Sequence, residues 1–286
     1  MPIAELTDSR CYYQLLGSGS PLILLPGLGA TCDLWSSVTS ELSRSFSLVL
    51  FDNRDVGRSL AKRAPQTLVD FTVDVIELMD HLQLDRAHVL GLSLGGIVAQ
   101  RLAIDHPNRV DRLVLMSCAD RFGPYLREMA KLLGQALRRF PPELFRKTVE
   151  LLGTSPMFFD KHSKDIERKI ADECEVGIAR GAVVRQLRCL GCHEVAGEDY
   201  RIAAPTMVVA GDHDTLIPAC YGRRMAKLIA GSEFLLVPEC GHNPLLERPD
   251  FVVPRIVEFL TDARAHGDNA DVFGNEFAQL EMEELV

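Results

Sequence analysis

A mostly parallel central sheet flanked by helices, with a helical cap inserted into it, is the α/β architecture that the sequence predicts. Three observations predict it. Short apolar runs alternate with stretches of helical period over residues 10–118, strand signals then stop until about residue 200, and the alternation resumes from 206. Alternating strand and helix signals imply parallel strands joined by right-handed crossovers and covered on both faces. A helical stretch that divides such a pattern has to lie outside the sheet, as a cap over it. Residues 1–119 and 200–264 are therefore assigned to the core, 120–199 to the cap, and 265–286 to an acidic C-terminal tail.

Residues 11–16, rich in Tyr and followed by Gly17-Ser18-Gly19-Ser20, read as an antiparallel lead-in strand with a tight turn. Residues 21–26 (PLILLP) and Phe46–Phe51 (FSLVLF) are apolar runs of buried-strand type. Between them, 33–44 reads as one helix, with Leu34, Val38 and Leu42 on a shared face, and a second helix is expected over 69–84 through Val73, Ile76, Leu78 and Leu82. Ala87–Leu92 and 112–116 are the next two strands, and the helix between them has to stop before Pro107, because the residue preceding a proline is driven out of helical geometry. Within the cap, helices are expected over 127–140, 143–152, 166–178 and 183–189, punctuated by Pro141-Pro142 and Ser155-Pro156. Strands at 206–210 and Glu233–Val237, a helix at 220–230 between them and another over 250–264 complete the pattern. In the tail, Asp268, Asp271, Glu276, Glu281, Glu283 and Glu284 face no Lys or Arg after Arg264, while Phe273, Phe277 and Leu280 share a helical face. Such a segment is expected to dock on the more basic cap or on a neighbouring subunit.

Composition narrows the class of function. The 286 residues carry 31 Lys and Arg against 40 Asp and Glu, a net charge of −9, and are 47% hydrophobic. That balance suits a globular protein with a substantial core and excludes a binder of phosphate backbones, which needs a basic face. No apolar run approaches the roughly 18 residues needed to cross a bilayer. The N-terminal residues lack the basic region and apolar stretch of a signal peptide, so a cytoplasmic location is expected. Neither nucleic acid nor membrane is an expected partner, and homo-oligomerisation is left open. The eight cysteines are scattered, so reduced thiols are expected. Cys189-Leu190-Gly191-Cys192-His193 matches the C-x-x-C-H pattern of haem attachment, yet that reaction normally takes place outside the cytoplasm, and the motif reads as two small helix residues near a His. His162, His193 and His213 show no metal-ligand spacing, so neither metal nor cofactor is expected.

The sharpest chemical signal is Gly91-Leu92-Ser93-Leu94-Gly95-Gly96, placed between a buried strand and a helix. A Gly-x-Ser-x-Gly turn in that position holds its serine on a strained backbone with the hydroxyl exposed, and the flanking glycines remove side chains that would clash. A nucleophilic serine needs a base and an acid that orients the base. His242, in Cys240-Gly241-His242-Asn243-Pro244 just past a strand end, is the candidate base. Asp214, in the loop after the strand at 206–210, is the candidate acid; Asp212 and Asp120, also beyond strand ends, are its rivals, and Asp214 is preferred because its place in the loop gives reach that Asp212 lacks. Backbone donors for an oxyanion are assigned to Leu28, in the turn Leu25-Pro26-Gly27-Leu28-Gly29, and to Leu94, the residue after the nucleophile. Apolar walls of a substrate pocket are expected from Met157, Phe158 and Phe159 in the cap and from Leu216 and Leu245 near the acid and base.

These residues and several companions resemble the α/β-hydrolase superfamily. Asp52-Asn53-Arg54-Asp55-Val56-Gly57-Arg58-Ser59 is similar to the superfamily's D-x-R-G-x-G-x-S stretch, and His106-Pro107-Asn108-Arg109-Val110 to its H-P-x-R-V. Gly211, Asp214 and Pro218 match G-x-x-D-x-x-x-P, and the segment from Gly241 through Pro244, Glu247 and Pro249 to Phe251 matches the closing His segment. The likeness covers about 10–259 and is weakest in the cap. Two departures stand out: Pro26 where many relatives carry His, and Asp55 where Gly is common. The resemblance implies hydrolysis through a Ser-His-Asp triad, and serine at 93 argues against the relatives that use an Asp nucleophile. The DNRDVGRS and GLSLGG segments are similar to those of small-ester and enol-lactone hydrolases, so a small-molecule ester or lactone is the expected substrate. Carbon–carbon bond hydrolysis, thioester hydrolysis, perhydrolysis, acyl transfer and a receptor built on the same scaffold remain as alternatives.

Overall fold

The computed structural model of the chain describes residues 2–176, 179–191, 193 and 201–262. The acidic tail 265–286 with Phe273, Phe277 and Leu280, together with Ile178 and Cys192, lies outside the described residues. The strands are β1 (Ile3–Glu5), β2 (Ser9–Leu16), β3 (Ser20–Leu25), β4 (Phe46–Phe51), β5 (Leu60–Ala61), β6 (Ala87–Leu92), β7 (Val110–Met116), β8 (Thr206–Gly211) and β9 (Glu233–Val237). They make one nine-stranded sheet in the order β1-β2-β4-β3-β6-β7-β8-β9, with β5 paired to β2. The lead-in strand β2 runs antiparallel to β1, β4 and β5, whereas every pairing from β4 through β9 is parallel. Every residue of β4, β6 and β8 is buried, as parallel strands covered on both faces require.

Helices α1 (Thr39–Leu42), α2 (Leu68–His81) and α3 (Leu94–Asp105) connect the early strands. Between β7 and β8 lie α4 (Pro124–Arg139), α5 (Pro142–Gly153), α6 (Pro156–Val176) and α7 (Arg180–Gly191), and after β8 come α8 (Ala219–Leu228), α9 (Pro244–Glu247) and α10 (Pro249–Thr261). The strands feed two layers alternately. Ile23, Val49 and Val89 pack with Phe71, Val75, Ile97 and Leu102 of α2 and α3. Their neighbours Leu22, Leu24, Leu48 and Leu90 pack with Trp35, Leu42, Val252 and Ile256 on the opposite face. This is the period-two pattern of a strand, used on both sides.

Two expected helices come out differently. No continuous helix forms over 33–44: Cys32–Trp35 is a short 3-10 turn, only Thr39–Leu42 is α-helical, and Val38 between them sits at φ −124°, ψ −9°. Ser36 and Ser37 between the two pieces, with Thr39 and Ser40 at the start of the second, offer side-chain oxygens that compete with helical hydrogen bonds, and the apolar spacing instead packs Trp35, Val38 and Leu42 inward. Helix α6 starts at Pro156 rather than near 166. Ser155 Oγ accepts the Phe158 N–H at 3.3 Å, and a proline just inside a serine cap is a favoured helix start. His162, at φ −114°, ψ 17°, kinks α6 six residues in. Among the described residues, no helix is long and apolar enough to cross a membrane.

Candidate active site

Ser93 joins β6 to α3 at φ 57°, ψ −116°, a left-handed conformation that costs a non-glycine residue about 1–3 kcal/mol. The surroundings hold it there: its N–H donates to Met116 O at 2.9 Å and its carbonyl accepts from Ile97 N–H at 3.1 Å. A Cβ on Gly91 would overlap the Gly95 carbonyl, and one on Gly95 would overlap the Leu25 carbonyl. The two glycines are therefore what allows the turn to be this tight.

Past the end of β8, Asp214 is buried, and its Oδ1 accepts the N–H groups of Leu216 and Ile217, each at 2.9 Å. Its other oxygen, Oδ2, lies 2.7 Å from Nδ1 of His242, which follows β9. A carboxylate engaged on both oxygens cannot swing away, so it fixes the imidazole and directs the Nδ1 proton toward itself. Nε2 is left as the basic nitrogen. His242 and Ser93 line the same cavity, of about 230 Å³. The rival acids have other partners: Asp212 Oδ1 accepts Cys240 N–H at 3.2 Å, and Asp120 binds the Arg224 guanidinium, with Nε at 3.0 Å.

Gly27 and Leu28 form part of the cavity wall beside Ser93. Leu94 is buried as the first residue of α3, where a backbone N–H has no acceptor inside its own helix and the helix dipole favours negative charge. The Gly27–Ala30 turn is closed by Ala30 N–H donating to Gly27 O at 3.2 Å, and Asn53 Nδ2 donates to Pro26 O at 3.4 Å. Such an arrangement can activate a hydroxyl and offer backbone donors to an anion formed next to it.

The family model described as alpha/beta hydrolase fold matches residues 20–249. The chain belongs to the α/β-hydrolase family. Among curated relatives, a protein of Caulobacter vibrioides with the provisional name carbamate hydrolase RutD is 27% identical over 268 residues, covering 90% of this chain and 97% of its own. Among solved structures, the enol-lactonase from Burkholderia xenovorans LB400 is similar at TM-score 0.81 and 26% identity, covering 91% of this chain and 100% of that one. A hydrolase from Pseudomonas aeruginosa PA01 is similar at TM-score 0.82 and 28% identity, covering 91% and 98% respectively.

In this hydrolase the inserted helices build much of the cavity, through Leu126, Met129 and Leu133 of α4, Phe145 and Val149 of α5, and Val183 and Leu187 of α7. They also grip the loops that carry the acid and the base. Gly153 O accepts the His242 N–H at 2.6 Å, and Thr215 Oγ1 donates to Leu152 O at 2.6 Å. The buried carboxylate of Glu247 accepts Ser155 N–H at 3.0 Å and Gly241 N–H at 3.1 Å, tying the insertion to the His242 loop. Glu247 was visible in the sequence only as part of a motif, and Gly153 carried no signal at all.

The expected apolar walls need correction. Leu216 lines the cavity, but Met157 is 60% exposed, and Phe158 and Phe159 are half-buried away from it. Because α6 starts at Pro156, these three residues occupy its first turn, where the Phe158 ring packs on His162 with centroids 4.4 Å apart. Leu245 is buried in the sheet-side core, and its neighbour Leu246 lines the cavity instead; successive residues of a helix point about 100° apart. Cys189 is buried in the core. Among the described residues, no three His, Cys, Asp or Glu side chains are grouped to hold a metal ion.

Proposed function

We propose that the protein is a serine hydrolase that cleaves a carboxylic ester or lactone through an acyl-enzyme intermediate. The observation that carries this reading is one cavity containing both Ser93, on its strained turn, and His242, whose Nδ1 lies 2.7 Å from buried Asp214. Nε2 of His242 takes the Ser93 proton as Oγ attacks the substrate carbonyl, and Asp214 stabilises the imidazolium that forms. The N–H groups of Leu28 and Leu94 receive the oxyanion. His242 then protonates the departing alcohol, activates a water, and the second half-reaction releases the acid. The largely apolar wall from α4, α5 and α7 suits an apolar acyl or alcohol group. The names of the relatives from Burkholderia xenovorans and Caulobacter vibrioides support the class, since lactones and carbamates are both attacked at a carbonyl carbon bearing a heteroatom leaving group.

A panel of p-nitrophenyl esters, lactones and thioesters ranked by kcat/KM, with Ser93→Ala as the blank, tests the reading. Ser93→Ala is expected to lose turnover of p-nitrophenyl butyrate while its circular dichroism stays unchanged, and a fluorophosphonate should label Ser93 alone. Asp214→Asn should retain the fold and lower kcat by about 10⁴-fold, the loss seen when an imidazole is held in the wrong tautomer. Undiminished turnover by Ser93→Ala would discard the mechanism.

A further inference from the structure

The insertion reaches past the cavity to the turn that carries Leu28. Gln186, on α7, is 1% exposed, and its Oε1 accepts the backbone N–H of Gly29 at 2.8 Å. One turn earlier, Val183 packs so closely that a Cβ added to Gly29 would lie 2.7 Å from its Cγ2. The neighbouring residue Arg185 pairs with Asp55, which itself stands at φ 68°. Adjacent residues of α7 thus hold two core loops, one of them through the aspartate that stands where glycine is common in the superfamily.

The Gly29 hydrogen bond has a specific consequence. Gly29 is the third residue of the turn closed by Ala30 N–H to Gly27 O, and its φ of +65° is the sign that type II turns require at that position. Type I and type II turns differ by reorientation of their central peptide, here the one joining Leu28 to Gly29. An acceptor on the Gly29 N–H holds that peptide in one orientation. The amide nitrogen of Gln186, by contrast, is buried with no partner among the described residues, a penalty that a methionine of similar length would not carry. What the glutamine contributes at this site is its oxygen.

We propose that Gln186 is a positioning residue for the oxyanion turn: by anchoring the Gly29 N–H it fixes the course of the Gly27–Ala30 turn, and with it the place of the preceding Gly27–Leu28 peptide, whose N–H faces the oxyanion. This rests on the serine-hydrolase reading above. Preorganised donors are effective because they need no realignment as charge develops, so loosening the turn weakens binding of the transition state more than binding of the substrate.

The test compares Gln186→Met and Gln186→Glu with the parent protein, using p-nitrophenyl butyrate as substrate and a trifluoromethyl ketone as an inhibitor that forms the oxyanion. Gln186→Met is expected to lower kcat about tenfold with KM within about twofold, and to weaken ketone inhibition by a similar factor. Inhibition by a non-reactive ether analogue of the substrate should not change. Gln186→Glu retains an oxygen acceptor. It is expected to recover kcat at the acid end of the accessible pH range, and to lose it again as the buried carboxyl ionises and sets negative charge beside the oxyanion. Gln186→Met should show no such added pH dependence. A wild-type kcat and ketone affinity in Gln186→Met, or a change confined to KM, overturns the proposal. Should Gln186→Met fail to fold, Gln186→Leu, which also removes the acceptor, is read in its place, a parental kcat and ketone affinity overturning the proposal. Turnover by Ser93→Ala in the same assay would instead overturn the underlying mechanism, so the two failures are distinguishable.

Discussion

At the scale of single residues, the candidate site depends on atoms that are missing as much as on those present. Gly91 and Gly95 leave room for two backbone carbonyls, and Gly96 leaves room for Cys118, whose Sγ would be 2.7 Å from an added Cβ. The carbonyl opposed to Gly95 belongs to β3 and cannot rotate out of the way. Gly95→Ala is therefore expected to destabilise the protein by about 3 kcal/mol or more, at the upper end of single-site effects; urea denaturation against the parent measures it. A shift below 1 kcal/mol would mean that α3 can slide along the sheet. Ser93 and His242, which line the cavity, and Asp214, bonded to His242, each sit just beyond a strand end inside a short motif, which is why the sequence marks them as candidates. Gln186 and Gly29 were not, because they are 157 positions apart and no local pattern marks a hydrogen bond made across such a separation. Met157 was misjudged for a related reason: residue type says that a side chain is apolar, but only the start of α6 at Pro156 decides where it points.

Elements tell a similar story. The strands were legible nearly residue for residue, since burial on both faces produces uninterrupted apolar runs such as FSLVLF and PLILL. The region 33–44 was less so, because its apolar spacing fits one helix while its hydroxyl side chains break it in two. The short strands β1 and β5 left no signal, being three and two residues long and paired only with β2. At the end of α7, His193 makes the element's stability depend on pH. Burial depresses its pKa from 6.5 to about 4. Between those values the unfolded chain binds a proton that the folded one does not, so stability is complete above about pH 6.5 and declines as the pH falls toward 4. The shift corresponds to about 3 kcal/mol at the acid end, at 1.36 kcal/mol per pKa unit. Denaturation series from pH 7 to pH 4.5 should show this slope, and His193→Gln should flatten it. An equal slope in both proteins would assign the acid sensitivity to other groups.

Across the whole molecule, the thiols report how completely the two layers exclude water. Cys11 and Cys32 are pushed up to about 12 by burial, and Cys118 and Cys240 are raised as well, again mainly by burial, whereas Cys220 is exposed on α8. Only the thiolate reacts, so brief iodoacetamide treatment of the folded protein near pH 8 should modify Cys220 and leave Cys11, Cys32, Cys118 and Cys240 untouched until denaturant is added. Rapid labelling of Cys118, read by peptide mass spectrometry, would contradict the packing of α3 on β7. β7 and β8 are direct neighbours, with Leu113 opposite Thr206 and its N–H bonded to Pro205 O at 2.9 Å, although α4 through α7 lie between them in the chain. The excursion starts from one strand and returns to its direct neighbour in the sheet. Much of what shapes the chamber thus comes from one continuous stretch of chain, so that changes confined to that stretch can alter what the chamber admits while the strands beneath stay as they are.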